Sequence, residues 1–230
     1  MKGNTRGKFM IVEMFLSGFF FLFIIGTNFA SNFFGYKTLG YVDPEAQLQF
    51  IKKSPIKFKI GVLIILIEHL GIIALAVTLF IAFRQYNMIL GIAWCIFRIG
   101  EALIQIYDKK NYWGLLNLTI SYSDTIDTEK NTLIDSSRNI LKTKQFRFAI
   151  AQILFVIGTL AYSSLFVIYE VVPLIIGWFG IIASSIYGFG DIIFLKKSNS
   201  KIIWSLGGLL ILLFEITLGG WLIFTSLTIP

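Results

Sequence analysis

Six stretches of about 20 predominantly apolar residues, each long enough to cross a bilayer, limit what this chain can fold into. They cover residues 9–30, 60–83, 88–107, 148–168, 173–195 and 202–225. Twenty helical residues rise about 30 Å, the depth of a bilayer's hydrocarbon core. Water is absent there, so every backbone N–H and C=O must be satisfied within the segment, and each segment must be helical. The expected fold is all-α. It is a polytopic bundle of six transmembrane helices with one or two interfacial amphipathic helices, in a single integral membrane domain over residues 1–230. Composition agrees, with only 14% charged residues and a mean hydropathy of +0.78, against about 25% charged in soluble domains.

The net charge of +7 sits mostly in the connections between apolar runs. Cations at that position face anionic lipid headgroups. No basic-and-aromatic motif for nucleic acid is present, so the expected partner is the lipid bilayer and not a nucleic acid. The lone Cys95 permits no internal disulfide and no thiolate metal site. Lys2, Arg6 and Lys8 precede the first run as in a signal peptide, but the run is too long, and it reads as a retained span.

The connections carry their own signals. Asp43-Pro44-Glu45 reads as an N-cap, a proline at the first helical position and an acid in the first turn. A short interfacial helix is expected over 44–53, with Pro55 stopping it. Arg84 to Asn87 is a tight turn, making spans two and three an antiparallel hairpin, and Tyr169 to Val172 joins four and five in the same way. The connection over 108–147 is the longest. Its Leu133, Ile134, Ile140, Leu141 and Phe148 predict an amphipathic helix from about Thr128 into span four. The piece over 112–120 extends span three or lies at the interface. Gly180, Ser184 and Gly188 form a small-residue stripe suited to close helix packing.

Ionisable residues inside the spans are few: Glu13, Glu68, His69, Arg98, Glu101, Asp191 and Glu215. A charge at mid-bilayer costs at least about 2.5–3.5 kcal/mol. Measured from the side of the long connections, Arg98 lies ~14 Å deep, Glu101 ~9 Å, Glu68 ~12 Å, His69 ~14 Å and Glu215 ~20 Å. Arg98, Glu101 and Gln105 fall at i, i+3 and i+7, one polar stripe on span three. Glu68, His69, Arg98, Glu101, Gln105 and Glu215 therefore form the candidate site. Three carboxyls against one fixed cation would be unbalanced in a low dielectric. A protonated carboxyl, a protonated His69, or a bound cation or amine would restore balance.

Arg84-x-Tyr86-Asn87, Gly91 and Phe97-Arg98-Ile99-x-Glu101-Ala102 resemble the second–third span hairpin of a bacterial and archaeal membrane family, domain of unknown function 4386. Pro173 with Gly177, and Glu215-x-x-Leu218-x-x-Trp221, resemble its later spans. The resemblance implies six spans, both termini cytoplasmic and no agreed activity. Lys and Arg are missing after spans four and six, where the family usually carries them. Charge counting alone puts the N-terminus outside: Lys2, Arg6, Lys8 and Arg84 face fifteen cations in the other connections. The family reading puts it in the cytoplasm of a cell-membrane protein, and that orientation is the expectation adopted.

Three functions stay open. The first is a small carrier, channel or sensor taking a cation, proton or small polar molecule at the six-residue site. The second is a non-catalytic structural or partner-binding protein in which the polar cluster only fixes packing. The third is a lipid-acting embedded enzyme with His69 and Glu68 as acid or base. No cofactor is implied, one histidine among scattered carboxylates does not make a metal site, and no sequence signal names a protein partner.

Overall fold

A computed structural model describes residues 2–36, 43–124, 127–196 and 201–228. All regular elements among them are α-helices: α1 (Lys2–Phe33), α2 (Pro44–Lys53), α3 (Pro55–Phe83), α4 (Met88–Asp124), α5 (Asp127–Tyr169), α6 (Leu174–Lys196) and α7 (Lys201–Thr228). Six of them, all but α2, are long and apolar enough to cross a membrane. The chain is a multi-pass helical membrane protein.

α1 ends at a glycine. Gly35 has φ +83, and its N–H donates to Asn32 while that of Tyr36 returns to Ser31 O at 3.0 Å. A Cβ at Gly35 would meet the Phe50 ring, so position 35 needs both the left-handed backbone and the missing side chain. α2 starts as expected: the Asp43 carboxylate accepts from Ala46 N at 2.8 Å. Its buried face is Pro44, Gln47, Leu48 and Ile51, the i, i+3, i+4, i+7 pattern of an amphipathic helix.

Pro55 does more than stop α2. It is also the first residue of α3, where its missing N–H has no intrahelical acceptor to lose. Span two therefore begins before Ile60. α4 runs unbroken through the 112–120 piece, and the amphipathic segment beyond Asp127 is the first half of α5. At 37 and 43 residues these helices are about 55 and 65 Å long, well beyond a hydrocarbon core of about 30 Å. Among the described residues α2 is the only separate helix outside the six candidate spans. Residues 197–200 of the fifth connection lie outside the described residues.

The chain divides into two compact units. Unit 1 comprises Met1–Ile25, Leu70–Ala102 and Ala149–Pro230. Its core includes Phe21, Leu75, Trp94, Phe155, Tyr162, Phe166, Phe214 and Leu218. The small-residue stripe of α6 packs as expected: a Cβ at Gly180 would strike Ser163 and Phe214, and one at Gly188 would sit 2.8 Å from Val156. Unit 2 comprises Gly26–His69 and Leu103–Phe148. Its core is Tyr36, Ile51, Phe58, Val62, Ile65, Tyr112, Leu115, Leu116 and Leu141.

Candidate functional site

In unit 1, α4 carries Arg98 and Glu101 one turn apart. Arg98 Nη1 donates to Glu101 Oε2 at 2.6 Å, and the two side chains are 2% and 4% exposed. The guanidinium carbon lies 5.2 Å from the Trp94 ring centroid and 4.7 Å from that of Phe155, within cation–π range. Trp94 is itself pinned, donating Nε1 to Ala76 O at 3.1 Å. Gly158 on α5 makes room for the arginine stem, because a Cβ there would lie 3.2 Å from Arg98 Cγ. Glu215 on α7 is half-buried and within electrostatic range of Arg98 and Glu101. Here a cation is held by a carboxylate and two aromatic rings, with a second carboxyl nearby.

Unit 2 holds a different cluster. The buried stripe of α4 continues past Gln105 through Asp108, Lys109 and Tyr112, each no more than 7% exposed. α5 adds Lys144, also 7% exposed, and Arg147. Tyr36 lies among them. Lys109 Nζ is 5.1 Å and Lys144 Nζ 4.7 Å from the Tyr36 ring centroid, and Lys144 Nζ is 4.8 Å from that of Tyr112. Arg147 Nη1 pairs with Asp108 Oδ1 at 3.1 Å. Burial, then the neighbouring Tyr112, Asp108 and Glu68, pushes the Tyr36 hydroxyl well above its ordinary value of 10.0. Tyr36 therefore keeps its proton and can donate it in a hydrogen bond. Tyr36, Gln105, Asp108, Lys109, Lys144, Arg147 and Phe148 enclose a cavity of about 10 Å³, room for one water-sized body.

The model of a family described as "Domain of unknown function (DUF4386)" matches residues 16–225. The chain belongs to this family. No curated protein matches it, and no solved structure does. The DUF4386 match spans both clusters and assigns a role to neither.

The six sequence-derived site residues of this DUF4386 protein divide evenly. Arg98, Glu101 and Glu215 lie in unit 1, and Glu68, His69 and Gln105 in unit 2. Arg98 and Glu101 are in direct contact. Glu68 is 5% exposed, accepts from Asn28 Nδ2 at 3.4 Å, and acts electrostatically on Tyr36 and Lys109. His69 is 1% exposed, and Gln105 lines the small cavity. Tyr36, Asp108, Lys109, Lys144 and Arg147 are not among the residues that sequence reasoning selects, because hydropathy places the four charged ones in a connection. A signal was available. Ser137, Leu141, Lys144 and Phe148 recur at i, i+4, i+7 and i+11, so a helical register from 128 onward puts Lys144 on the apolar face of α5.

Proposed function

We propose that this protein is a small carrier or sensor of the membrane whose ligand is an anion, taken at the Tyr36–Lys109–Lys144–Arg147 site. The reading is carried by one observation: among the described residues, the lining of a single small cavity carries three basic side chains, Lys109, Lys144 and the quarter-exposed Arg147, against one acid, Asp108. Burial pulls the Lys109 ammonium down to about 8, against the pull of Asp108 and Glu68, and the Lys144 ammonium down to about 7, so an anion in the cavity would favour the charged form of both. Burying a charge costs several kcal/mol, even after relaxation, unless it is compensated. An anion offsets that cost, and Tyr36 and Gln105 supply uncharged donors beside it. The cavity volume suits a compact group, either a halide or a single oxygen of a phosphate or carboxylate.

The Arg98–Glu101 pair takes the other role open to a buried polar contact, which is to fix helices. Its guanidinium lies within cation–π range of both Trp94 and Phe155, and its carboxylate partner is on its own helix. These contacts compensate the charge of Arg98, although its Nε makes no hydrogen bond among the described residues.

Calorimetric titration of the detergent-purified protein with inorganic phosphate, and separately with choline, tests the reading. Saturable phosphate binding that disappears in Lys144→Gln is the expected result. Choline binding abolished by Glu101→Gln, with no phosphate binding, would overturn it in favour of a cation site at Arg98.

For orientation, the N-terminus is proposed to be cytoplasmic in the cell membrane. A cysteine replacing the exposed Asn139, in a Cys95→Ser background, should react with an impermeant maleimide on intact cells. Reaction only after lysis would reverse the orientation.

A further inference from the structure

Lys109 borders two spaces. On one side is the small polar cavity; on the other is a groove of about 440 Å³ between α3 and α4. The groove walls are Ile60, Val62, Leu63, Leu66, Ile106 and Trp113, and its cations are Lys59, Lys109 and Lys110. No acid lines it among the described residues. The polar and apolar residues are ordered along the groove. α3 and α4 are joined by the short turn at Arg84–Asn87, so they run antiparallel, and Leu66 and Ile106 lie nearer that turn than Lys59, Lys110 and Trp113 do.

The order matches the membrane. The apolar runs read from sequence begin at Ile60 and end at Tyr107, and the helices carry lysines where they continue beyond these points to Pro55 and Asp124. Leu66 and Ile106 thus belong to the hydrocarbon, and Lys59, Lys110 and Trp113 to its boundary, where lysines and tryptophans anchor. A second cavity, of about 280 Å³, shares Lys59 and Trp113 with the groove and adds Lys52, Pro55, Asn117 and Thr119. Among the described residues it too is lined by cations and neutral groups and by no acid. An apolar slot, then a belt of lysines, then a polar pocket is the sequence of surfaces along an anionic phospholipid: acyl chain, phosphate, headgroup.

We infer that the groove between α3 and α4 is a binding site for an anionic glycerophospholipid. One acyl chain lies along Leu63, Leu66 and Ile106. The phosphate sits among Lys59, Lys109 and Lys110, and the polar headgroup in the pocket with Lys52 and Asn117. The inference rests on the anion reading of the neighbouring Tyr36 site, since it names the source of the anion: a lipid phosphate reaching Lys109, and not a free ion. It differs from general lipid contact in selectivity, because an apolar surface alone does not distinguish a zwitterionic from an anionic lipid.

The test uses the purified full chain in a neutral detergent and short-chain phosphatidylglycerol against phosphatidylcholine of equal chain length, read by native mass spectrometry and titration. A basic side chain near an anionic lipid contributes on the order of a fivefold factor. The wild type should therefore prefer phosphatidylglycerol by at least about tenfold. Lys59→Gln with Lys110→Gln, both at exposed positions, should reduce the preference to about twofold or less. Leu66→Trp, which fills the slot, should weaken both lipids and leave inorganic phosphate binding at the Tyr36 site unchanged. Equal binding of the two lipids, with phosphate still bound at Lys144, would overturn the lipid inference and leave the anion reading standing. Loss of both phosphate and phosphatidylglycerol binding in the wild type would sink the two together.

Discussion

Arg98 in unit 1 and Lys144 in unit 2 are both cations in helices otherwise rich in apolar residues, at 2% and 7% exposure. Their surroundings differ in sign. Arg98 has a carboxylate at 2.6 Å, aromatic rings near 5 Å and a second carboxyl in range. Lys144 shares its tyrosine with another lysine, and Asp108 at that site is paired with Arg147. A charge compensated by its own protein stabilises helix packing. A cavity lined, among the described residues, by three basic side chains and one acid favours an outside anion. The difference teaches that burial alone does not identify a ligand site; the sign of the local charge sum is what separates the two.

Breaking the Arg98 pair should have the largest effect. Arg98→Met leaves Glu101 buried without its partner and should cost about 3–5 kcal/mol, measured by denaturant unfolding in detergent. Arg98→Met with Glu101→Leu should recover most of that, since a pair replaced by apolar residues is often close to neutral. A double variant as unstable as the single one would mean the pair is not the lock described. Next is Gly158→Val, which crowds the Arg98 stem and should cost about 1–3 kcal/mol. If it is silent in the same unfolding assay, the close approach of α5 to Arg98 is not needed. Asp43→Ala tests unit 2 away from its charges. Losing the α2 N-cap should cost about 1 kcal/mol, and circular dichroism melts that match the wild type would argue against the cap. The smallest effect is expected at Lys144. In phosphate-free buffer Lys144→Gln should change stability by less than about 1 kcal/mol in either direction, because it removes both an interaction and a buried charge. A loss as large as that of Arg98→Met would erase the contrast between the two sites.

Much of the fold was legible because local chemistry determines it. Asp43-Pro44-Glu45 specified the start of α2, and the apolar runs specified six spans whatever their packing. Pro55 is legible only in part: its power to end a helix is plain in sequence, but its place at the start of α3 depends on the apolar residues C-terminal to it. The Arg98–Glu101 contact was legible from i, i+3 spacing. Grouping Glu68, His69 and Glu215 with that pair rested on estimated depth, which says how far a residue lies along a helix and not which neighbours it faces; Glu215 does lie within electrostatic range of Arg98 and Glu101, whereas Glu68 acts on Tyr36 and Lys109. The basic site was missed for a related reason. Hydropathy ends span three at Tyr107 and starts span four at Phe148, so Lys109 and Lys144 looked like exposed connection residues. Continuous helices through both stretches turned them inward. The expectation of a cation or proton ligand followed from the acid excess around Arg98, and the cations of unit 2 reverse that sign for the proposed ligand.

The proposed anion site in unit 2 is tested most directly by the thermal unfolding midpoint of the purified protein as inorganic phosphate is raised at constant ionic strength. A ligand at about a hundred times its dissociation constant stabilises the native state by about 2.7 kcal/mol. The wild type should therefore show a rising, saturating midpoint, and Lys144→Gln a flat one. Equal responses in the two proteins, or a midpoint that rises with choline and ignores phosphate, would contradict the account.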